Sequence, residues 1–378
     1  MIINYHSSQP KIALVIDSYG WAFHNIARQI KYFLSSSFQI DIFTLNELAT
    51  IHKVNHDAPD NAANYSDFNA LGRLLLISYN YDLIHFFYKE MFASISYGHD
   101  VSALSYYASG FGLSVDYLIH KARISTAFTT VIYDHGASSS ESLSVRSQSF
   151  RKLIDSYTVS SNKLYSIYSS HPDMPSPLMT IPDGVDFTKF FPIRLSRFAE
   201  LPSRELVVGW AGNSKWGDGT IDHKGYWSIL KPAIEQLQQK GYRVRLEVQD
   251  RNERHVALED MVYYYAKLDA YVCVSDAEGT PNPVLEAMAC GVPVISTDVG
   301  IVGEGLGPLQ HEFILPERSI HALQRSLIAL LNAPSTLSAL SGENLKSILP
   351  WSWKIQTSKF HAFFSQVLAE KASHSVVR

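Results

Sequence analysis

The chain has 378 residues, 46% hydrophobic and 18% charged, a globular composition too long for one core and suited to about two domains of ordinary size. Its net charge of −4 is evenly spread: residues 1–200 carry 15 Lys and Arg against 17 Asp and Glu, and the remainder 17 against 19, so neither half is basic enough to grip a nucleic acid. The two cysteines, Cys273 and Cys290, sit in apolar runs as small core residues, which argues against a disulfide scaffold or a zinc site and suits a reducing cytosol.

Residues 1–10 lack the basic leader and apolar stretch of a secretory signal. A buried strand is expected at 11–17. A helix follows at 21–34, with apolar residues at 23, 26, 27, 30, 33 and 34. Further strands read at 39–44, 83–88, 129–133, 156–160 and 179–181. The most apolar stretch, 74–88, is interrupted by Asn80, Asp82 and His85 and is too short to cross a bilayer. Pro192, Pro202 and interleaved charges mark a linker at 194–204. A second series of strands reads at 206–210, 244–249, 270–275 and 292–297. Strands alternating with helical stretches imply α/β architecture, with parallel sheets covered on both faces and ligands in the crevice at the carboxyl ends of the strands.

The densest signal lies at 275–297, which reads as the end of a strand, a glycine-proline loop, a short helix and another strand. Glu278 falls in the loop and Glu286 eight residues later inside the helix, with Asn282 as expected N-cap and Pro283 at the first helical position. The N–H groups and positive dipole end of a helix start suit an anion. Carboxylates beside them suit sugar hydroxyls. The pattern describes a site for a phosphorylated sugar.

Glu-Gly-Thr-Pro followed by Leu-Glu-Ala-Met-Ala-Cys-Gly-Val-Pro-Val-Ile resembles the Glu-x7-Glu signature of the family-4 retaining glycosyltransferases, which have the GT-B fold of two Rossmann-like doubly wound parallel-sheet domains facing across a cleft. The resemblance implies a nucleotide-diphosphate sugar as donor substrate, with Glu278 on the donor hexose and Glu286 on the ribose. Gly279, Thr280, Pro281 and Asn282 would form the donor loop. The segment 181–187, Ile-Pro-Asp-Gly-Val-Asp-Phe, resembles the family's Ile-Pro-Asn-Gly-Val-Asp, and Pro-Asp-Gly is also a turn former in its own right. Residues 300–307 resemble the loop over the donor phosphates, and 351–354 with the helical stretch after it resemble the C-terminal helix that returns to the first domain. The expected division is an acceptor-binding domain at 1–200, a donor-binding domain at 201–350 and a returning helix at 351–378.

The chain departs from the family where an Arg is expected after the first strand of the second domain, because Asn213 stands there. Lys224-Gly225 follows after a long loop, and the resemblance gives Lys224 a diphosphate role. Lys215 either replaces the missing guanidinium or is a solvated loop residue. In the first domain, Gly20 alone represents a Gly-Gly loop near the phosphates, and His135 resembles a histidine facing the donor sugar, although a lone histidine at a strand end is as readily structural. Asp250, Arg251 and 258–265 are expected near the nucleotide, and Tyr97, Tyr106, Tyr107 and Tyr117 are candidates for stacking on acceptor sugars.

Rupture of a glycosyl–phosphate bond places negative charge on the leaving diphosphate, which preorganised cations stabilise. Lys224, Lys215 and the helix start near Thr280 fill that role, with Glu278 and His135 at the sugar. The chain lacks the Asp-x-Asp motif of the other large glycosyltransferase fold, so the expectation is metal-independent transfer with no cofactor. The expected acceptor is a saccharide or lipid-linked saccharide in cell-surface polysaccharide synthesis. The expected location is the cytoplasm, compatible with peripheral contact at the inner membrane face. Transfer to DNA fits poorly with the acidic balance. A dinucleotide-dependent oxidoreductase would need Gly-x-Gly-x-x-Gly after a first strand, which is absent. The rival from another class is a non-catalytic GT-B-like sugar-binding or accessory subunit. It would be expected to lose Glu278, Glu286 or Lys224, and all three are present.

Overall fold

The computed structural model describes residues 9–20, 22–44, 47, 75, 78–87, 109, 110, 112–133, 153–216, 221–254 and 256–376. Strands β1 (Lys11–Ile16), β2 (Gln39–Thr44), β3 (Leu83–Phe86), β4 (Ala127–Ile132), β5 (Ser156–Val159) and β6 (Met179–Thr180) form a parallel sheet in the order β2-β1-β3-β4-β5-β6. Strands β7 (Leu206–Gly212), β8 (Val244–Asp250), β9 (Ala270–Cys273), β10 (Val294–Thr297) and β11 (Ile314–Leu315) form a second, in the order β11-β10-β9-β7-β8, also parallel. All six residues of β4 are buried, as a strand covered on both faces requires.

Among the described residues the first unit includes helices α1 (Ala22–Leu34), α2 (Val115–Ser125) and α3 (Asn162–Ser170). α1 turns Ile26, Ala27, Ile30 and Leu34 inward. Ser114 and Ser161 cap the other two through side-chain bonds to Tyr117 N and Leu164 N. The second unit contains α4 (Lys231–Gln239), α5 (Met261–Tyr265), α6 (Asn282–Ala289), α7 (Val302–Gly305), α8 (Ile320–Asn332) and α9 (Thr336–Ser347). The last helix, α10 (Trp353–Val376), leaves the second unit and packs Phe360, Phe363, Phe364 and Val367 against Ile12, Leu14 and Ile26 of the first. The chain crosses between the units twice, side by side. Val185 N donates to Trp351 O at 2.8 Å and Trp353 N to Val185 O at 3.3 Å, pairing Val185 with Ser352.

The stretch expected as a linker is not a spacer. Leu195–Ser203 winds into 3₁₀ turns, and Phe198 and Leu201 enter the core beneath the second sheet. Charges at the intervening positions concealed an apolar spacing of three, which suits 3₁₀ geometry. Arg197, 4% exposed, donates from Nε to Leu268 O at 2.8 Å, in the segment just before β9. Arg204 grips the fully buried Asp269 through two bonds, 2.6 and 2.8 Å, and Val207 N donates to the same carboxylate at 2.8 Å. β11 was not foreseen, since two residues carry no periodicity.

Removing one partner of a buried ion pair strands the other. Asp269→Ala is therefore expected to destabilise the protein by about 3–5 kcal/mol, read as a lowered denaturation midpoint in urea with an unchanged slope. A variant within 1 kcal/mol of the parent would show that the pair is dispensable.

Candidate functional site

Both sheets reverse strand order beside their first strand, between β1 and β3 and between β7 and β9. Crevices form at such switch points, outside the carboxyl ends of the strands. The loops after β1, β7, β8 and β9 line one cavity of about 520 Å³, with Gly20 on the first unit opposite Asn213, Arg251 and Glu278 on the second.

Glu278 lies in the loop after β9. Its Oε1 accepts from Lys224 Nζ at 2.6 Å and from Ser275 Oγ at 2.7 Å. Burial opposes the charge on Lys224, but the charge and hydrogen bond of Glu278 outweigh it and hold the ammonium above its ordinary range. Lys224 also lies 5.1 Å from the centroid of the half-exposed Trp216 ring. Gly225 explains why the lysine precedes a glycine. Its φ is +68°, a Cβ would collide with Val274 O, and the chain opens at once into a π-turn, Tyr226–Leu230.

Glu286 projects from α6 into the same cavity and accepts from Tyr265 OH at 2.7 Å. Burial pushes its pKa up to about 7, against the opposing hydrogen bond of Tyr265. Thr280, Pro281 and Asn282 line the cavity, whereas Gly279 serves by having no side chain: a Cβ there would overlap Tyr133 O of the first unit. Asn282 is not an N-cap. No side chain caps α6, and the Asn282 amide instead donates to Asp183 Oδ2 at 3.0 Å, while Thr280 Oγ1 accepts from Asp183 N at 3.2 Å. The turn at 181–187 is thereby tied to the donor loop.

Asn213 lines the cavity at the end of β7, where Oδ1 accepts from Lys215 N at 2.9 Å and from Asn252 Nδ2 at 2.6 Å. The Lys215 side chain is exposed and does not line the cavity, while Arg251 and Arg254 do. Gly20, at φ +78°, faces Arg251, whose Nη2 donates to Gly20 O at 3.3 Å. The segment 300–307 does not line the cavity but abuts the donor loop: Gly300 rests on the Gly279 carbonyl, and Glu304 accepts from Asn162 N and Nδ2 at 2.8 and 2.7 Å. His135, Tyr97, Tyr106 and Tyr107 lie outside the described residues. Tyr117 is exposed on α2. Tyr265 falls in the stretch 258–265 expected near the nucleotide and Asp183 in the motif at 181–187, though neither was given a role of its own, while Trp216, Ser275 and Arg254 were not singled out from the sequence. Ser275 and Trp216 could have been, as a hydroxyl ending a motif strand and an aromatic in a charged loop.

This arrangement can hold an anion by Lys224 and the guanidinium groups, and polyhydroxylated rings by Glu278 and Glu286. Residues 229–333 match the family profile of glycosyl transferases, group 1. A 96-residue stretch is 38% identical to a putative teichuronic acid biosynthesis glycosyltransferase, TuaC, of Bacillus subtilis, covering 25% of this chain and 22% of that protein. A stretch of 135 residues is 28% identical to O-antigen chain mannosyltransferase B of Escherichia coli, covering 36% and 34%. The aligned parts thus span about a fifth and a third of these relatives. Among solved structures, Anabaena HepE in complex with UDP superposes with a TM-score of 0.61 at 13% identity, over 94% of this chain and 100% of that one. The fold is GT-B.

Within this GT-B molecule one buried group makes a pH test. Asp183 is 2% exposed, and burial pushes its pKa from 3.8 to about 7 against the hydrogen bond from Asn282. The buried hydroxyl of Tyr133 acts on Asp183 in the same direction as Asn282, and burial outweighs both. A carboxyl whose folded pKa is raised favours folding below its unfolded value, and that contribution is lost as pH rises through the folded value. Asp183→Asn should therefore flatten the fall in melting temperature between about pH 4 and pH 8 and melt higher than the parent at the upper end. Parallel melting curves for the two proteins across this range would show that Asp183 is not protonated on folding.

Proposed function

We propose that the protein is a retaining glycosyltransferase that moves a sugar from a nucleoside diphosphate sugar to a saccharide or lipid-linked saccharide in polysaccharide synthesis. The observation that carries this reading is the Lys224–Glu278 pair beside Glu286, on adjacent loops at the switch point of the second sheet and facing the first unit across the cavity. The names of the two aligned relatives, in teichuronic acid and O-antigen synthesis, support the acceptor class. The UDP complex of a protein with the same fold supports the donor class.

In this reading Glu286 accepts from the ribose hydroxyls and Glu278 orients the hexose. Lys224 faces the diphosphate, where negative charge grows as the bond from the anomeric carbon to the phosphate oxygen breaks. An acceptor hydroxyl oxygen forms the new bond on the same face, and its proton passes to the departing phosphate. No metal is assigned a role. Among the described residues no helix is long and apolar enough to cross a membrane, and attachment to its surface is part of the proposal only through a lipid-linked acceptor.

A thermal-shift screen against UDP, GDP, ADP, CMP and their sugar conjugates, with and without EDTA, tests the donor site. A ligand at about 100 times its dissociation constant adds about 2.7 kcal/mol, so one nucleoside diphosphate should raise the melting point regardless of EDTA. Glu286→Ala should abolish most of that shift. Glu278→Ala should slow nucleotide release from the donor sugar more than it weakens binding, and Lys224→Ala should slow it by about one to two orders of magnitude. Wild-type turnover in all three variants would refute the assignment.

A further inference from the structure

We propose that Arg251 supplies, from the strand beside β7, the guanidinium that grips the donor's diphosphate and ties donor binding to contact between the two units. This rests on the donor reading given above and goes further in naming the second cation. A diphosphate carries more negative charge than one ammonium can offset, and Lys224 is already bound to Glu278 at 2.6 Å. Of the other basic side chains, Lys215 is exposed and lies outside the cavity, whereas Arg251 and Arg254 line it, and of these two Arg251 directly follows β8 beside Asn213.

The ladder explains how the charge reaches this place. Gly212 of β7 is paired with Asp250 of β8, and Arg251 N donates to Gly212 O at 2.9 Å. Arg251 is therefore the neighbour, one strand over, of the neutral Asn213. The turn that presents it is held rigidly. Asp250 accepts from Ser214 N at 3.2 Å and Asn252 N at 3.0 Å, and the amide of Asn252 reaches Asn213 at 2.6 Å. A guanidinium on such a mount offers paired N–H groups to phosphate oxygens.

Across the cleft Arg251 Nη2 donates to the carbonyl of Gly20 at 3.3 Å. Gly20 sits in the left-handed region at φ +78° and lines the same cavity, so the phosphate position, Arg251 and the loop after β1 converge. A phosphate held by Arg251 would lie against the first unit as well as the second.

The test is calorimetric titration of the parent and Arg251→Ala with the nucleoside diphosphate found in the screen, and with the same nucleoside lacking phosphates. Arg251→Ala should weaken the diphosphate by about 10- to 100-fold and leave the nucleoside unchanged. Asn213→Arg in the Arg251→Ala background should restore much of the loss, a rescue that a merely structural role would not give. Arg245→Ala, on the outer surface of β8, should bind as the parent does. An unchanged diphosphate affinity in Arg251→Ala overturns the inference while leaving the donor reading standing. An equal loss for the phosphate-free nucleoside overturns it too, because Arg251 would then read the base or ribose. Failure of the parent to bind any nucleoside diphosphate removes the donor reading itself, and this inference with it.

Discussion

The molecule depends on a place where three stretches of backbone meet with no side chain between them. Gly279 abuts the carbonyl of Tyr133, and Gly300 abuts the carbonyl of Gly279. This stacking draws the loop after β9 onto the carboxyl end of β4, so groups from two separately folded sheets share one crevice. Any Cβ at Gly279 would push the units apart. Asp298 adds an ion pair to Lys163 at 2.6 Å, but both side chains are about half exposed and water weakens the attraction. Steric fit holds this seam, and electrostatics contributes second.

Around it the polar groups fall into two kinds. Those tied to one another across the seam, such as Asp183 with Asn282 and Thr280, fix the shape of the donor loop. Those facing the cavity, Glu278 and Glu286, each take their side-chain donors on one oxygen: Lys224 and Ser275 on Oε1 of the first, Tyr265 on Oε2 of the second. The first group sets geometry and the second meets the ligand, which is why neighbouring residues of one motif serve such different ends.

Most strands were legible as short apolar runs, and the edge strand β2, exposed at Gln39 and Asp41, still matches its expected span of 39–44 to the residue. Legibility failed where tertiary contact overrode local composition. The charged stretch near Arg197 looked like a spacer, yet its apolar residues at every third position enter a core. Within the site, Glu278, Glu286 and Lys224 could be read from their motif, since spacing along the chain fixes their place on one loop and one helix. Asn282 was misread as a cap because its actual partner, Asp183, is 99 residues away. Arg251, expected near the nucleotide, lines the cavity, whereas Lys215, offered as a replacement for the missing guanidinium, does not. Which basic residue faces a cavity depends on ladder register between β7 and β8, which single-chain patterns do not encode.

The return of α10 to the first unit has a consequence for the order in which the protein is made. Phe360, Phe363 and Phe364 fill the same apolar layer as Ile12 and Leu14, so residues some 350 positions apart complete one core. During synthesis the amino-terminal sheet emerges early with that face covered only in part, by α1, and the rest waits for α10. The second unit, whose sheet and core lie between 195 and 340, can close first. Contacts of such long sequence separation form late and slowly, and bare apolar surface is prone to aggregation meanwhile. The usual vectorial order, with the amino-terminal domain finished first, is thereby reversed, and the waiting sheet is where a chaperone would be needed.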